Sequence, residues 1–143
     1  MRQQATGKFV REVTGVRQQA TEKSISPIKS YKDLLVWQRS MNLVETVYHF
    51  SRKLPVAEQF GLVSQMRRSA VSVPSNIAEG YGRQATGEYR HHLSIARGSL
   101  LELETQLILT QRLKYVGSEQ VNVLLSEIDQ ISKMLASLIG KIF

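Results

Sequence analysis

Tyr89, Leu93, Ala96, Leu100, Leu103 and Leu107 are separated by four, three, four, three and four residues. That rhythm places six apolar side chains on one side of an α-helix. It does not fit the two-residue alternation of a half-buried strand. The same rhythm returns at Val121, Leu124, Ile128, Ile131, Leu135, Leu138 and Ile142. Two long helices with unbroken apolar stripes need other helices to cover them, because a stripe is stable only when packed against its like.

The first half of the chain supplies those partners. Leu34, Trp37, Met41, Val44 and Tyr48 form a stripe on a helix predicted over about residues 32–53. Ser30 or Asp33 is its expected cap, and Leu54-Pro55 ends it, since the residue before a proline avoids helical backbone. Val63, Met66, Ala70, Val73 and Ile77 make another stripe, on a helix beginning near Val56. Pro74 lies inside that stripe. A proline there removes a backbone donor and crowds the preceding turn, at about 3 kcal/mol if nothing compensates. The apolar spacing runs on to Ile77, which predicts a helix that bends through Pro74 rather than ending at it.

Gly80, Gly82 and Gly87 are expected to loosen the next turn, with Thr86 capping the third helix. Gly117-Ser118 make the break and the cap before the fourth. Four helices with short links predict an all-α, antiparallel, up-and-down four-helix bundle with shallow left-handed crossings. Leu101 and Ile108 flank the third stripe, and Leu43, Val47 and Phe50 flank the first. A second apolar face on a bundle helix predicts contact with another subunit.

At 143 residues the chain suits one domain with a real core. It has no cysteine, so disulfides and thiolate chemistry are excluded. It has no apolar run long enough for a membrane span and no secretory leader pattern, so a cytoplasmic protein is expected. The net charge is +7. Residues 1–30 carry six Lys/Arg against two Glu, a balance of +4, which leaves +3 for residues 31–143. The chain thus divides into a basic, flexible arm (1–30), in which RQQAT occurs at 2–6 and 17–21, and a bundle domain (31–143). Such an arm is either a solvated tail or a contact for phosphates.

Several segments in order carry a family resemblance. They are YKDLLVWQRSMNLVETVY (Tyr31–Tyr48), FGLVSQMRRSA (Phe60–Ala70), VPSNIAEG with its flanks QMRRSAVS and GYGR, and ARGSLLELETQL (Ala96–Leu107). Over residues 31–143 the chain resembles the four-helix-bundle proteins encoded in intervening sequences of bacterial 23S rRNA genes. The resemblance implies the bundle fold and assembly into a homopentamer around an axis. The chain is also more distantly similar to the accessory protein of diversity-generating retroelements, a pentameric bundle that works with a reverse transcriptase and RNA.

No catalytic set emerges. Glu88 and His91 form a single ExxH, whereas a carboxylate-bridged di-iron bundle needs two such motifs and two further Glu. Arg83 precedes His91 by eight residues and Arg39 precedes His49 by ten, so an Arg-x4–6-His ribonuclease motif does not fit. Glu102 and Glu104 point to different faces of a helix. Gly80-Tyr81-Gly82 lacks the strand and lysine of a phosphate loop. No enzyme, metal or cofactor is expected.

Two polar sets remain. Gln65, Arg68, Ser72, Asn76 and Glu79 run along the second helix at spacings of three and four. They form either a ligand groove or, preferably, a hydrogen-bonded seam inside the bundle or between subunits, in which Arg68 and Glu79 pair with residues such as Glu102 or Arg97. The phosphate-contact candidates are Arg67, Arg83, Arg90, His91 and Arg97, the last four clustering around the turn into the third helix. Solvated or salt-bridged arginines are the alternative. No recognition helix or RNA-reading aromatic motif is present, so sequence-specific readout is not expected. The expectation is a non-enzymatic protein that binds nucleic acid, RNA sooner than DNA, and associates with itself; a reverse transcriptase as a further partner is what the distant retroelement resemblance implies. The alternative is an oligomeric scaffold without a nucleic-acid partner.

Overall fold

A computed structural model of the chain describes residues 27–142. The repeated RQQAT and most of the basic arm lie outside the described residues. Ser30 opens the fold. Its hydroxyl accepts from the Lys32 N–H at 3.1 Å, while the Asp33 carboxylate accepts from the backbone of Lys29 and Ser30 at 2.8 and 3.3 Å. This reciprocal cap encloses a 3-10 turn, Tyr31–Asp33, rather than the α-helix itself. Both expected cap residues are therefore used, one turn earlier than the helix they were expected to start.

Four α-helices follow: α1 (Leu35–Ser51), α2 (Leu62–Tyr81), α3 (Thr86–Arg112) and α4 (Ser118–Gly140), with a second 3-10 turn at Val56–Glu58. No strand occurs among the described residues. Helix α2 packs against α1 on one side and α3 on the other, and α4 closes the cycle by packing against α3 and α1. Short links between neighbours make this the up-and-down four-helix bundle that the spacing predicts.

Helix α2 runs unbroken through Pro74, which is buried with Val73 and Ile77. The carbonyl of Ala70 forgoes its helical donor there, and burial of the ring offsets that loss. Gly80 proves to be a packing residue rather than part of the turn. It is buried in the last turn of α2, and a Cβ added to it would lie 2.8 Å from His92 Cβ. The end of α2 and the start of α3 approach closely because that position has no side chain.

Helix α1 departs from expectation. Its core row is Val36, Ser40, Leu43, Val47 and Phe50, all buried, whereas Met41 and Tyr48 are 39% and 37% exposed and Trp37 and Val44 are half-buried. The row expected to be the core is the flank, and the row expected to be the flank is the core. The two rows differ by one residue, which is about 100° around a helix. Leu34 is buried but has extended backbone, so it does not set the helical phase. Ser40 hides the true row, because a buried serine reads as polar. Its hydroxyl is satisfied by donating to the Val36 carbonyl at 2.7 Å.

The expected caps of α3 and α4 shift as well. Ala85 and Gly117 occupy the cap positions without side-chain bonds, and Thr86 and Ser118 are the first helical residues. Glu88 and Glu119 instead place negative charge in the positively polarised first turns. At the end of α3, Lys114 takes a left-handed backbone conformation (φ 65°), which lets the Tyr115 N–H reach the Thr110 carbonyl at 2.9 Å and reverses the chain.

Candidate nucleic-acid interface

The five phosphate-contact candidates do not form one patch. Arg67 lies toward α1. Its Nε donates to Ser51 Oγ at 2.8 Å and its guanidinium sits 4.5 Å from the Tyr48 ring centre. Fourteen residues, roughly 21 Å along α2, separate it from the end of that helix at Tyr81, and Arg83 lies beyond. Arg83 is paired with Glu79 at 2.7 Å. Arg90 and Arg97 are exposed, and their spacing of seven puts them on one side of α3. Neither has an ion-pair partner among the described residues. His91, also exposed, lies about a hundred degrees around the helix from Arg90, with its ring 5.9 Å from that of His92. The first half of α3 thus presents Arg90 and Arg97 without ion-pair partners among the described residues, while Arg83, at the turn before it, is paired.

The polar row of α2 divides into a closed half and an open half. In the closed half, Ser72 and Ser99 share a hydrogen bond at 2.8 Å. The Asn76 amide donates to the Ser72 carbonyl and hydroxyl at 2.9 and 3.0 Å. With that nitrogen spent, Asn76 Oδ1 must accept the remaining bond, 3.0 Å from His92 Nδ1, so Nδ1 carries the imidazole proton. His92 Nε2 then lies 4.0 Å from Glu79 Oε2. The expected partners differ, since Glu79 pairs with Arg83 rather than Arg97.

In the open half, Gln65, Arg68, Ser72, Ser99, Glu102 and Gln106 line a groove of about 240 Å³. Arg68 and Glu102 face this groove without pairing to each other. Gln106 Oε1 is buried there with no hydrogen-bond partner among the described residues. His92, Ser99 and Gln106 are site residues that the apolar stripes do not reveal, although they repeat every seven residues beside the α3 core. That polar row on α3 is the complement of the one recognised on α2.

On its other side, α2 forms two adjoining grooves with α1. One, about 370 Å³, is apolar and lined by Trp37, Met41, Val44, Val71 and Pro74. The other, about 500 Å³, is lined by Tyr48, Gln59, Phe60, Ser64, Arg67 and Arg68. Phe60 stands on the link between α1 and α2 and is 96% exposed. That link is held from below. Glu58 accepts from the Leu62 N–H at 3.1 Å and from the Tyr115 hydroxyl at 2.8 Å. The Leu62 bond, and after it the Tyr115 bond, lower the Glu58 carboxyl below its ordinary value, against a small opposing effect of burial. The Tyr115 hydroxyl is raised, chiefly by the same bond to Glu58.

Among the described residues no group of three or more His, Cys, Asp or Glu is placed to hold a metal ion. Glu88 and His91 of the ExxH are both exposed. No described helix is long and apolar enough to cross a membrane.

Residues 32–137, covering α1 to α3 and all but the last residues of α4, match the family model of the 23S rRNA-intervening sequence protein. The chain belongs to that family. The match begins at the 3-10 turn before α1, so the basic N-terminal residues stand outside it. The fold is also similar to the crystal structure of a protein of unknown function, from the S23 ribosomal protein family, of Bacteroides thetaiotaomicron. The two are 26% identical with a TM-score of 0.69, over 74% of this chain and 96% of that one. Nothing among curated proteins matches the sequence. Within the family match fall Arg67, Arg83, Arg90, His91, Arg97 and both halves of the polar seam, whereas the basic arm, the other phosphate-contact candidate, falls outside it.

Proposed function

We propose that this family member is a non-enzymatic, oligomeric bundle that binds nucleic acid, RNA in preference to DNA, through its basic surface. The observation that carries this reading is the exposed, unpaired Arg90–Arg97 row on α3 in a chain of net charge +7. Unpaired arginines on a rigid helix favour phosphate oxygens, and each phosphate contact releases condensed counterions. Self-association multiplies such a row, so that contacts weak in one copy become useful together. Leu101 and Ile108, exposed on the outer side of α3, suit a contact between copies. A reverse transcriptase is the further partner implied by the distant retroelement resemblance.

The test is a titration of the full chain into a labelled structured RNA at low and physiological salt. Arg90→Glu with Arg97→Glu is expected to weaken binding and to lower the slope of log affinity against log salt by about one for each arginine that touches a phosphate. The fold should be unaffected, since both side chains are exposed. Unchanged affinity removes this row from the interface. An RNA that the parent chain does not bind at either salt leaves the scaffold reading, which the exposed apolar residues favour, in its place.

A further inference from the structure

The groove that α2 forms with Tyr48 of α1 and with the α1–α2 link brings aromatic and cationic side chains together. Phe60 is almost fully exposed, and Tyr48 lies in the same groove with one face stacked by the Arg67 guanidinium. Arg68 borders the groove and has no acceptor among the described residues. Arg67 spends only its Nε on Ser51, which leaves its terminal nitrogens to point elsewhere. Gln59 and Ser64 add neutral hydrogen-bonding groups. The one carboxylate of the link, Glu58, is turned away from the groove and committed to Leu62 and Tyr115. The groove is therefore aromatic and cationic, without an opposing charge from its own link.

An exposed phenylalanine on a mobile loop would mean little. The backbone that carries this one is held in place. The link contains a 3-10 turn closed by the Glu58 N–H to Pro55 carbonyl and Gln59 N–H to Val56 carbonyl bonds at 2.9 and 3.0 Å. The Gly61 N–H to Glu58 carbonyl bond, at 3.0 Å, follows. The Glu58 clamp then ties the turn to α2 and to the far end of α3. A ring carried on a fixed backbone has only its side-chain torsions to lose when a flat partner stacks on it. Flat rings joined to phosphates fit this combination. A base stacks on Phe60 or on the guanidinium-capped Tyr48, and Arg67 and Arg68 meet the neighbouring phosphates.

We infer that this groove is a binding site for unpaired nucleotides of a single-stranded nucleic acid, with Phe60 as its stacking platform and Arg68 as its phosphate contact. The inference rests on the nucleic-acid reading above and gives it a second surface with a different preference. The Arg90–Arg97 row takes phosphates of any form. The Phe60 groove requires a base free of its duplex partner, because paired bases are already stacked on both faces.

The experiment uses the full chain and a short single-stranded RNA carrying one 2-aminopurine, beside the same sequence as a duplex. The parent protein is expected to quench the single-strand fluorescence on binding. Phe60→Ala should weaken single-strand binding on the order of tenfold and remove the quench, leaving duplex affinity unchanged. Phe60→Trp should restore both, which excludes misfolding as the cause. RNA bound by Phe60→Ala with the parent's affinity and quench would overturn the platform while leaving the basic-surface reading intact. Absence of any RNA binding by the parent would overturn both. A change in molecular mass of Phe60→Ala by light scattering would assign the groove to a contact between copies and overturn it as a nucleotide site.

Discussion

Two stretches on opposite sides of α2, Ser72 with Asn76 facing α3 and Arg67 with Arg68 facing α1, are built from polar residues and end in opposite states. Toward α3, Ser72 and Asn76 meet Ser99 and His92 in a run of hydrogen bonds between 2.8 and 3.0 Å. Nothing on that stretch needs a partner from outside. Toward α1, Arg67 meets the Tyr48 ring and Ser51, Arg68 borders the groove without a partner among the described residues, and Phe60 meets solvent. Arg68 stands on the ridge between the two, bordering both grooves. Polar residues at helical spacing are thus not one kind of signal. They are structural where the facing helix offers matching donors and acceptors, and available for function where it offers rings or open space.

The closed side depends on close approach of α2 and α3, and that dependence gives the largest effect. Gly80→Leu places carbon where His92 Cβ and the Tyr89 ring already stand, at 2.8 and 3.1 Å from the first added atom. The expected cost is about 1–3 kcal/mol, measured by urea denaturation. A variant as stable as the parent would mean that the two helices have slack, and the contrast between the sides would lose its basis.

A smaller effect is expected from Asn76→Ala. It removes the acceptor of the His92 Nδ1–H and the donor to Ser72 while leaving both partners in a half-buried seam. Leaving such groups unmatched costs about 1–2 kcal/mol. The variant also frees the imidazole to change tautomer, which nitrogen chemical shifts of His92 would report. If stability falls but the tautomer persists, another acceptor holds the ring, and the seam extends beyond Asn76.

The bundle is legible in the sequence because apolar spacing is a local property. The stripes of α2, α3 and α4 predict their helices and their buried faces, although α2 starts at Leu62 and not near Val56, which stands in a 3-10 turn, and the helix continues past Pro74 as the spacing predicts. Helix α1 misleads because two adjacent rows both satisfy helical spacing. The outer row carries the larger side chains, Trp37, Met41 and Tyr48, while the core row contains Ser40. Its neutral hydroxyl satisfies itself on its own helix, so burial leaves no mark in the pattern.

What spacing cannot supply is axial register between helices. Asn76 meets His92, Arg39 meets Glu127 through paired bonds of 2.9 and 3.1 Å, and Glu58 meets Tyr115 across 57 residues. Each meeting depends on how far one helix slides along another. That sliding is decided by the summed packing of both stripes and by link geometry such as the left-handed Lys114. For the same reason the grouping of Arg83 with Arg90, His91 and Arg97 reflects only their proximity in sequence, while pairing of Arg83 with Glu79 is set by their i, i+4 placement at the end of α2.

The smallest expected effect concerns the open side, through the clamp beneath Phe60. The Glu58 carboxyl is held below its ordinary value of 4.5 in the folded chain. A carboxyl lowered on folding stabilises the fold above its unfolded value, and that contribution is lost as pH falls through the folded one. Tyr115, raised above its ordinary 10.0, adds stability below that value and loses it as pH climbs past the raised one. The clamp therefore contributes through the neutral range and weakens toward both extremes. Tyr115→Phe removes the second of the two bonds that lower Glu58 and keeps the Leu62 bond. The Glu58 carboxyl should move part of the way back toward 4.5 in a carbon-detected NMR titration, and the stability gap between neutral and acid pH should narrow. A Glu58 titration identical in variant and parent would mean that Tyr115 does not reach the carboxylate in solution. The link would then be tied to α2 alone, and the rigidity that makes Phe60 a platform would rest on its 3-10 turn.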